Sequence, residues 1–186
     1  MSIESLKNVG KTSVYPKGSI ICREGDEGHS LYILLQGTVD VTINSFSNNA
    51  KTLLTLKQGS FFGEMSLLEK KPRSATVSTK TDNVIVLEIS EKDFPALLAA
   101  DTSIAYHLLL TLNKRLNHML DEIEKENKRF VFNYRKNNHY LAIQGLNEKG
   151  FQQIAQESSE YVWTLLKYLS ASLNEMNNMY MNYIPN

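Results

Sequence analysis

The chain has 186 residues, with 20 basic and 20 acidic side chains and a formal net charge of zero. This length suits one folded core with a helical appendage, and the balanced charge argues against a protein whose main partner is a polyanion. The single cysteine, Cys22, excludes an internal disulfide and is interpreted as a small buried hydrophobe. No long apolar run follows a basic start, so we expect no membrane span and a cytoplasmic protein.

Short β-rich runs alternate with glycine-containing turns through the first half of the chain. Strands this short, with glycine corners, predict an antiparallel roll or jelly roll. The segment at residues 45–50 is interpreted as a surface hairpin tip. The predicted strands cover residues 19–22, 30–35, 38–43, 51–56, 75–79 and 83–89.

One Glu and one Arg flank a short apolar segment that lies between the predicted strands at residues 51–56 and 75–79. Gly63 allows a close backbone turn and leaves room for a ligand. The residues after it, Glu64, Met65 and Ser66, can start a helix whose free N–H groups point at an anion. Arg73 is a forked, permanently charged donor among small or apolar neighbours, so we expect a poorly solvated charge that requires a partner or a ligand.

The same segment offers further groups for a sugar phosphate. Glu64 can accept a hydrogen bond from a ribose hydroxyl. The Ser74 hydroxyl and the backbone N–H groups of Ser74 and Ala75 can complete the anion site. The alternative is a salt bridge between Glu64 and Arg73 that only holds a loop.

Residues 62–79 resemble the phosphate-binding cassette of the cyclic-nucleotide-binding domain family, the fold shared by catabolite activator protein and protein kinase A regulatory subunits. Residues 21–37 resemble the family's other signature, a glycine-punctuated turn that leads into an apolar strand and a second glycine turn. The resemblance implies an α+β fold. An antiparallel, jelly-roll-like β-roll is expected at residues 12–100, a long connecting helix at 101–135 and a C-terminal helical region at 136–186.

The resemblance also implies a 3′,5′-cyclic mononucleotide ligand, bound by the residues named above from Gly63 to Ala75. Ser74 favours cAMP, because family members that prefer cGMP often place Thr after the cassette Arg; cGMP stays possible. A gapless alignment puts Met119 and Leu120 where the bacterial activator uses hydroxyl residues on the adenine. Either apolar and aromatic contacts from Met119, Leu120 or Tyr134 cover the base, or the base preference is loose.

A helical period begins near residue 101 and predicts a helix of about 30 residues. Its far half extends beyond what the β domain can cover and needs another partner. We expect it to pair with its twin in a homodimer; the alternative is that the apolar stripe packs on the chain's own C-terminal helices. The stripe consists of Ala105, Leu108, Leu112, Leu116, Met119 and Ile123, continued by Asn127 and Phe130.

The last 50 residues decide what nucleotide binding is for. Residues 152–169 are faintly similar to a helix-turn-helix, but the interval from Ile154 to Val162 is too short for a complete turn. From residue 137 onward there are two Lys and four Glu, and 2 minus 4 gives a net charge of −2, which predicts poor DNA binding. We expect a helical effector or partner-docking element whose apolar face consists of Leu165, Leu166, Leu169, Leu173 and Met176.

Enzymatic activity is not indicated. The chain has no Gly-x-Ser-x-Gly elbow, Walker-type loop or dinucleotide fingerprint, and its four histidines lack metal-binding spacing. The favoured hypothesis is therefore a non-enzymatic cyclic-nucleotide-binding regulator. The alternatives are a transcription regulator with a reduced helix-turn-helix and a β-roll scaffold that no longer binds nucleotide.

Overall fold

The computed structural model describes residues 10–100, 102–125, 131, 134–136 and 145–183. The chain divides into two units, one ending at Leu97 and the other beginning at Leu98. The first is built of strands and the second of helices. Among the residues described, no helix combines the length and apolar character that crossing a bilayer requires.

Eight strands form two antiparallel sheets of four strands each. The first sheet has the order β1-β8-β3-β6 and the second the order β2-β7-β4-β5. The chain passes back and forth between the two sheets, except that β4 and β5 form a hairpin within the second sheet, and it thus forms the predicted antiparallel roll. The bounds are β1 Lys11–Tyr15, β2 Ile20–Cys22, β3 Ser30–Gln36, β4 Thr38–Ile43, β5 Lys51–Lys57, β6 Phe61–Phe62, β7 Thr76–Thr79 and β8 Val84–Ser90.

The core of this unit takes side chains from both sheets. Successive side chains of a strand point to opposite faces of its sheet, so every second residue of each strand points into the apolar interior between the sheets. Cys22 lies in this core, as the sequence predicted. Its buried members are Cys22, Tyr32, Leu34, Val39, Leu56, Phe62, Val77, Val84 and Val86.

The six predicted strands are confirmed to within about one residue at each end. Two strands were not predicted. In β1, Lys11–Tyr15, most residues are exposed, so it carries little hydrophobic signal. The other, β6, has only Phe61 and Phe62, which is too short to show alternation.

Five helices complete the described fold. The short α1 follows β6 directly, whereas the other four follow the β-roll along the chain. Ser90 caps the turn before α2, because the backbone N–H of Asp93 donates to Ser90 Oγ over 3.3 Å. The bounds are α1 Glu64–Glu69, α2 Phe94–Ala100, α3 Thr102–Glu124, α4 Glu148–Glu157 and α5 Ser159–Tyr183.

The long helix α3 is shorter than predicted. It ends at Glu124, whereas the sequence pattern continued to residue 130; Asn127 and Phe130 lie outside the described residues. Arg135 forms ion pairs with Asp121 and Glu124, which stabilises the end of α3 from another part of the chain.

The apolar stripe of α3 is buried within the helical unit itself. Leu108, Leu112 and Leu116 have no exposed surface, and α3 packs against α5 and α4. The predicted face of α5 is buried as well, including Leu166, Leu169 and Met176. The alternative in which the stripe packs on the chain's own helices is therefore the arrangement observed. A dimer through this stripe would require displacement of α5, so dimerisation stays a prediction without a defined surface.

A single residue separates α4 from α5. Ser158 is extended, with φ −156° and ψ 103°, and its N–H donates to the Ile154 carbonyl as the C-cap of α4. A helix-turn-helix corner takes about three or four residues. The observed corner agrees with the short interval noted in the sequence. Of the C-terminal helical region predicted at residues 136–186, residues 137–144 and 184–186 lie outside the described part of the chain.

Candidate functional site

Two backbone hydrogen bonds fix the loop that carries Arg73. The Arg73 N–H donates to the Asp26 carbonyl over 2.8 Å, and the Gly25 N–H donates to the Arg73 carbonyl over 2.9 Å. The loop before β7 is thereby tied to the turn before β3. This pairing joins the two sequence signatures, residues 21–37 and 62–79, into one site.

Arg73 is buried in this site, with only 8% of the residue exposed. Its Nη1 donates to the Ser30 carbonyl over 2.7 Å, to the Gly63 carbonyl over 2.8 Å and to Ser66 Oγ over 2.7 Å. The prediction of a poorly solvated charge is thus matched by the geometry. Each of these acceptors is neutral, so they orient the guanidinium without neutralising it.

Two glycines make room for this side chain. A Cβ at Gly63 would lie 2.5 Å from Arg73 Nη1, and a Cβ at Gly28 would lie 2.2 Å from Arg73 Nε. Gly63 also has φ 75°, a conformation that L side chains rarely adopt, at the N-cap of α1. The sequence assigned the space at Gly63 to a ligand, whereas the structure fills part of it with Arg73.

Tyr32 forms the floor beneath Arg73. Its ring stacks on Phe62 with centroids 5.0 Å apart, and Arg73 Cζ lies 5.4 Å from the Tyr32 centroid. Burial above all, followed by the neighbouring Cys22 and Glu88, raises the pKa of Tyr32 well above its ordinary value. The phenol is therefore a protonated donor at neutral pH.

Glu64, the first residue of α1, is 2% exposed. Burial above all raises the pKa of the Cys22 thiol to about 11; Arg73 lowers it, and Glu88 and Glu64 raise it. Glu64 directly follows Gly63, whose carbonyl accepts from Arg73 Nη1, so both side chains belong to one buried region. Their joint role in binding a ligand stays a prediction.

The remaining predicted residues lie nearer the surface. Ser74 is exposed, and its hydroxyl donates to Met65 Sδ over 3.6 Å, a weak bond that a stronger acceptor can replace. Ala75 is half-buried beside it. These positions leave the Ser74 hydroxyl available for an anion at the mouth of the site.

The residues proposed to cover a base belong to the helical unit. Met119 is 8% exposed there and Leu120 is fully buried. Tyr134 is half-buried, and burial is the main cause that raises its pKa to about 12. Met119 and Leu120 are thus core residues of the helical unit, and a role for them in covering a base stays a prediction.

Residues 12–101 match the family model described as "Cyclic nucleotide-binding domain". These residues form a cyclic nucleotide-binding domain. The matched segment contains both signatures and all eight strands except the first residue of β1.

Curated relatives support this assignment over the same segment. The chain is 40% identical over 84 residues to a cAMP-dependent protein kinase regulatory subunit of Aspergillus niger, which covers 45% of this chain and 20% of that protein. It is 35% identical over 105 residues to the cAMP-activated global transcriptional regulator CRP of Pasteurella multocida, which covers 56% of this chain and 50% of the other. The chain thus matches half or less of the length of these relatives.

Most of the chain can be superposed on a solved structure. The catabolite activator protein of Thermus thermophilus aligns with a TM-score of 0.51 and 20% identity, covering 92% of this chain and 94% of that one. At this identity the likeness concerns the fold alone. It agrees with a β-roll followed by a long helix and C-terminal helices.

Four further residues of the candidate site were not singled out by the sequence. Gly28 lies in the glycine-punctuated turn of residues 21–37, and Ser30, Tyr32 and Glu88 lie in predicted strands. Their contacts with one another or with Arg73 join positions 40 to 60 residues apart along the chain (|i−j| of 43 for Ser30 and Arg73, 58 for Ser30 and Glu88). The strand register was the missing information.

Proposed function

We propose that the protein is a non-enzymatic regulator that binds a 3′,5′-cyclic mononucleotide, with cAMP favoured, at the Arg73 site. One observation carries this proposal: a buried, permanently charged guanidinium is held by neutral acceptors on one nitrogen. Among the described residues, the hydrogen bonds of the Arg73 side chain all leave from Nη1. A buried cation in this state favours an anionic ligand.

The geometry suggests how each part of the nucleotide is bound. Nε and Nη2 of Arg73 form the remaining edge of the guanidinium, which matches two oxygens of a phosphate. The Ser74 hydroxyl and the N–H groups of Ser74 and Ala75 add donors at the mouth of the site. Glu64 accepts a hydrogen bond from the ribose, which orients the sugar relative to the phosphate.

The preference for cAMP rests on resemblance. Ser74 occupies the position after Arg73 where members that prefer cGMP often have Thr. Both curated relatives described above carry cAMP in their names. We propose the same ligand here, with cGMP as the competitor.

The regulatory output is proposed to involve the helical unit. Ligand binding shifts an equilibrium between two arrangements of α3, α4 and α5 by the difference in its affinity for them. The apolar faces buried between α3 and α5 then become available to a partner protein or a second subunit. A Crp-like transcription regulator is the second candidate, since the CRP of Pasteurella multocida is 35% identical over 105 residues.

Calorimetric titration with cAMP and cGMP tests the binding proposal. Arg73→Ala should weaken binding by several kcal/mol, on the order of 3, because a bidentate, charge-assisted contact is lost. Arg73→Lys should recover part of the affinity, since the charge remains without the fork. Arg23→Ala is the matched control, because Arg23 lies in the same unit but stacks over Phe46, with Cζ 4.2 Å from the ring centroid. Equal affinity in Arg73→Ala and Arg23→Ala would contradict the assignment.

A further inference from the structure

A carboxylate on β8 connects two residues of β3. Glu88 Oε1 accepts a hydrogen bond from Ser30 Oγ over 2.7 Å and a longer one from Tyr32 Oη over 3.4 Å. In the antiparallel register Tyr32 lies opposite Glu88, and Ser30, two residues earlier, shares the same face of the sheet. One carboxylate oxygen therefore holds both side chains.

Both of these β3 residues also contact Arg73. The Ser30 carbonyl accepts from Arg73 Nη1 over 2.7 Å, and the Tyr32 ring lies under the guanidinium, 5.4 Å from Cζ. Glu88, on the neighbouring strand β8, thus contacts the two β3 residues that hold Arg73 in place. A shift of either residue would move the guanidinium and with it the edge that faces the phosphate.

The chemistry of Glu88 suits this task. A carboxylate is a stronger acceptor than a carbonyl or an amide, and Glu88 is only partly exposed, so water competes less for the two donors. Tyr32 keeps its proton at neutral pH because burial raises its pKa, so it remains a donor to Glu88. The contacts are side chain to side chain across the sheet, which secondary structure alone does not require.

We propose that Glu88 is a positioning residue for phosphate recognition: through Ser30 and Tyr32 it fixes the orientation of the Arg73 guanidinium. This inference rests on the proposed function. It assigns to Glu88 an effect on ligand geometry without contact with the ligand.

The test compares affinity with phosphate geometry in the full chain. Dissociation constants are measured by calorimetry for cAMP and for its Rp and Sp phosphorothioates, in which sulfur replaces one or the other exocyclic oxygen. Glu88→Gln should weaken cAMP binding about tenfold and change the Rp to Sp affinity ratio, because a neutral amide oxygen holds Ser30 and Tyr32 less firmly. Asp40→Asn is the matched control: Asp40 is also a strand carboxylate bonded to a hydroxyl, that of Thr55, but it lies on the second sheet.

A double-mutant cycle tests the route of the effect. If Glu88 acts through Tyr32, the losses in Glu88→Gln and Tyr32→Phe should be less than additive when combined; the same holds for Ser30→Ala, which keeps the carbonyl. Additive losses, or an unchanged Rp to Sp ratio with lower affinity, would overturn the proposal in favour of a general effect on stability. Thermal melts of each variant separate the two.

The remaining outcomes are also decisive. The proposal would be overturned if a folded Glu88→Gln variant bound cAMP with the affinity and the Rp to Sp ratio of the unmodified protein. Nucleotide binding itself would then still stand. If Glu88→Gln does not fold, Ser30→Ala and Tyr32→Phe are tested instead. The proposal would be overturned if both variants bound cAMP as tightly as the unmodified protein. If the unmodified protein binds neither cAMP nor cGMP at about 1 mM, the proposed function fails, and this inference fails with it.

Discussion

Gly28 lies so close to the Arg73 guanidinium that a methyl group at Gly28 would be 2.2 Å from Nε and 2.4 Å from Cζ. These two residues come from different loops, joined by the backbone hydrogen bonds between Arg73 and the Gly25–Asp26 turn. Gly28 is buried, and only a residue without a side chain leaves room for the guanidinium at this place. The glycine therefore allows the observed position of the Arg73 guanidinium.

Replacing Gly28 by Ala should weaken cAMP binding about tenfold or more, because the new methyl group overlaps the guanidinium and one of them must move. The backbone at Gly28 does not have a positive φ in the left-handed region, so the change adds no backbone strain of that kind. Calorimetry gives the affinity and a thermal melt gives the stability.

Gly150→Ala is the control for that variant. Its Cβ would meet nothing closer than 3.5 Å, and Gly150 lies in α4, where Ala is a better helix former than Gly. We expect unchanged affinity and a slightly raised melting temperature. If Gly28→Ala binds cAMP as tightly as the unmodified protein, the position of Arg73 described here is not the one that binds the ligand.

The β-roll could be predicted because its strands carry their own signal. In β4, Thr38–Ile43, apolar and polar residues alternate, and Gly37 supplies the turn with φ 88°. The cassette was visible for a similar reason, since Gly63 and Arg73 are ten residues apart in one local segment. By contrast, Glu88 is linked to the site only through the antiparallel register of β3 and β8, which no local pattern specifies.

The helical unit shows the limit of periodicity. The stripe on α3 predicted a buried face correctly, but a 3.6-residue period does not identify what covers that face. The complementary stripe on α5 was also visible, and both stripes turned out to cover each other. Neither stripe distinguishes a twin subunit from the chain's own helix as its partner, because both would present the same apolar surface.

Leu112→Glu should destabilise the helical unit, by on the order of 3 kcal/mol, because Leu112 is fully buried and an unpaired carboxylate would lie in an apolar interface. Leu110→Glu places the same charge on the same helix at a position that is 39% exposed, and should change stability by about 0.5 kcal/mol or less. Urea unfolding followed by circular dichroism measures both. Light scattering on the same samples tests the predicted homodimer through the stripe of α3. If the unmodified protein is a dimer and Leu112→Glu is a folded monomer, the result would support that dimer interface.

Cys22 should make the protein less stable in alkali. The thiol has a pKa of about 11 when folded and 9.0 as the reference for an unfolded chain. As the pH rises through this window the unfolded state loses the proton first, so unfolding is favoured and stability is lost by up to about 2 to 3 kcal/mol. Below the unfolded pKa both states hold the proton and the effect vanishes. In Cys22→Ala the free energy of unfolding should fall less steeply between about pH 9 and 11; identical slopes would contradict the burial of a neutral thiol.

Coupling between nucleotide and helices predicts a change in hydrogen exchange. If cAMP shifts the arrangement of the helical unit, amide protection in residues 162–176 of α5 should change on addition of ligand, since local opening reports packing. Arg73→Ala at the same cAMP concentration is the control that removes binding without altering α5. Protection that is identical with and without bound cAMP would leave a binding domain with no output through α5.

The C-terminal helices should not bind DNA. Their segment from residue 137 has a net charge of −2, from two Lys and four Glu, and DNA affinity comes largely from neutralised phosphates. The corner between α4 and α5 is the single residue Ser158, which does not allow the three- or four-residue turn that sets a recognition helix in a groove. Fluorescence anisotropy with a random duplex at low salt, with and without cAMP, measures this directly. We expect no nucleotide-dependent binding, and tight, salt-sensitive binding that appears only with cAMP would instead establish the transcription-regulator alternative.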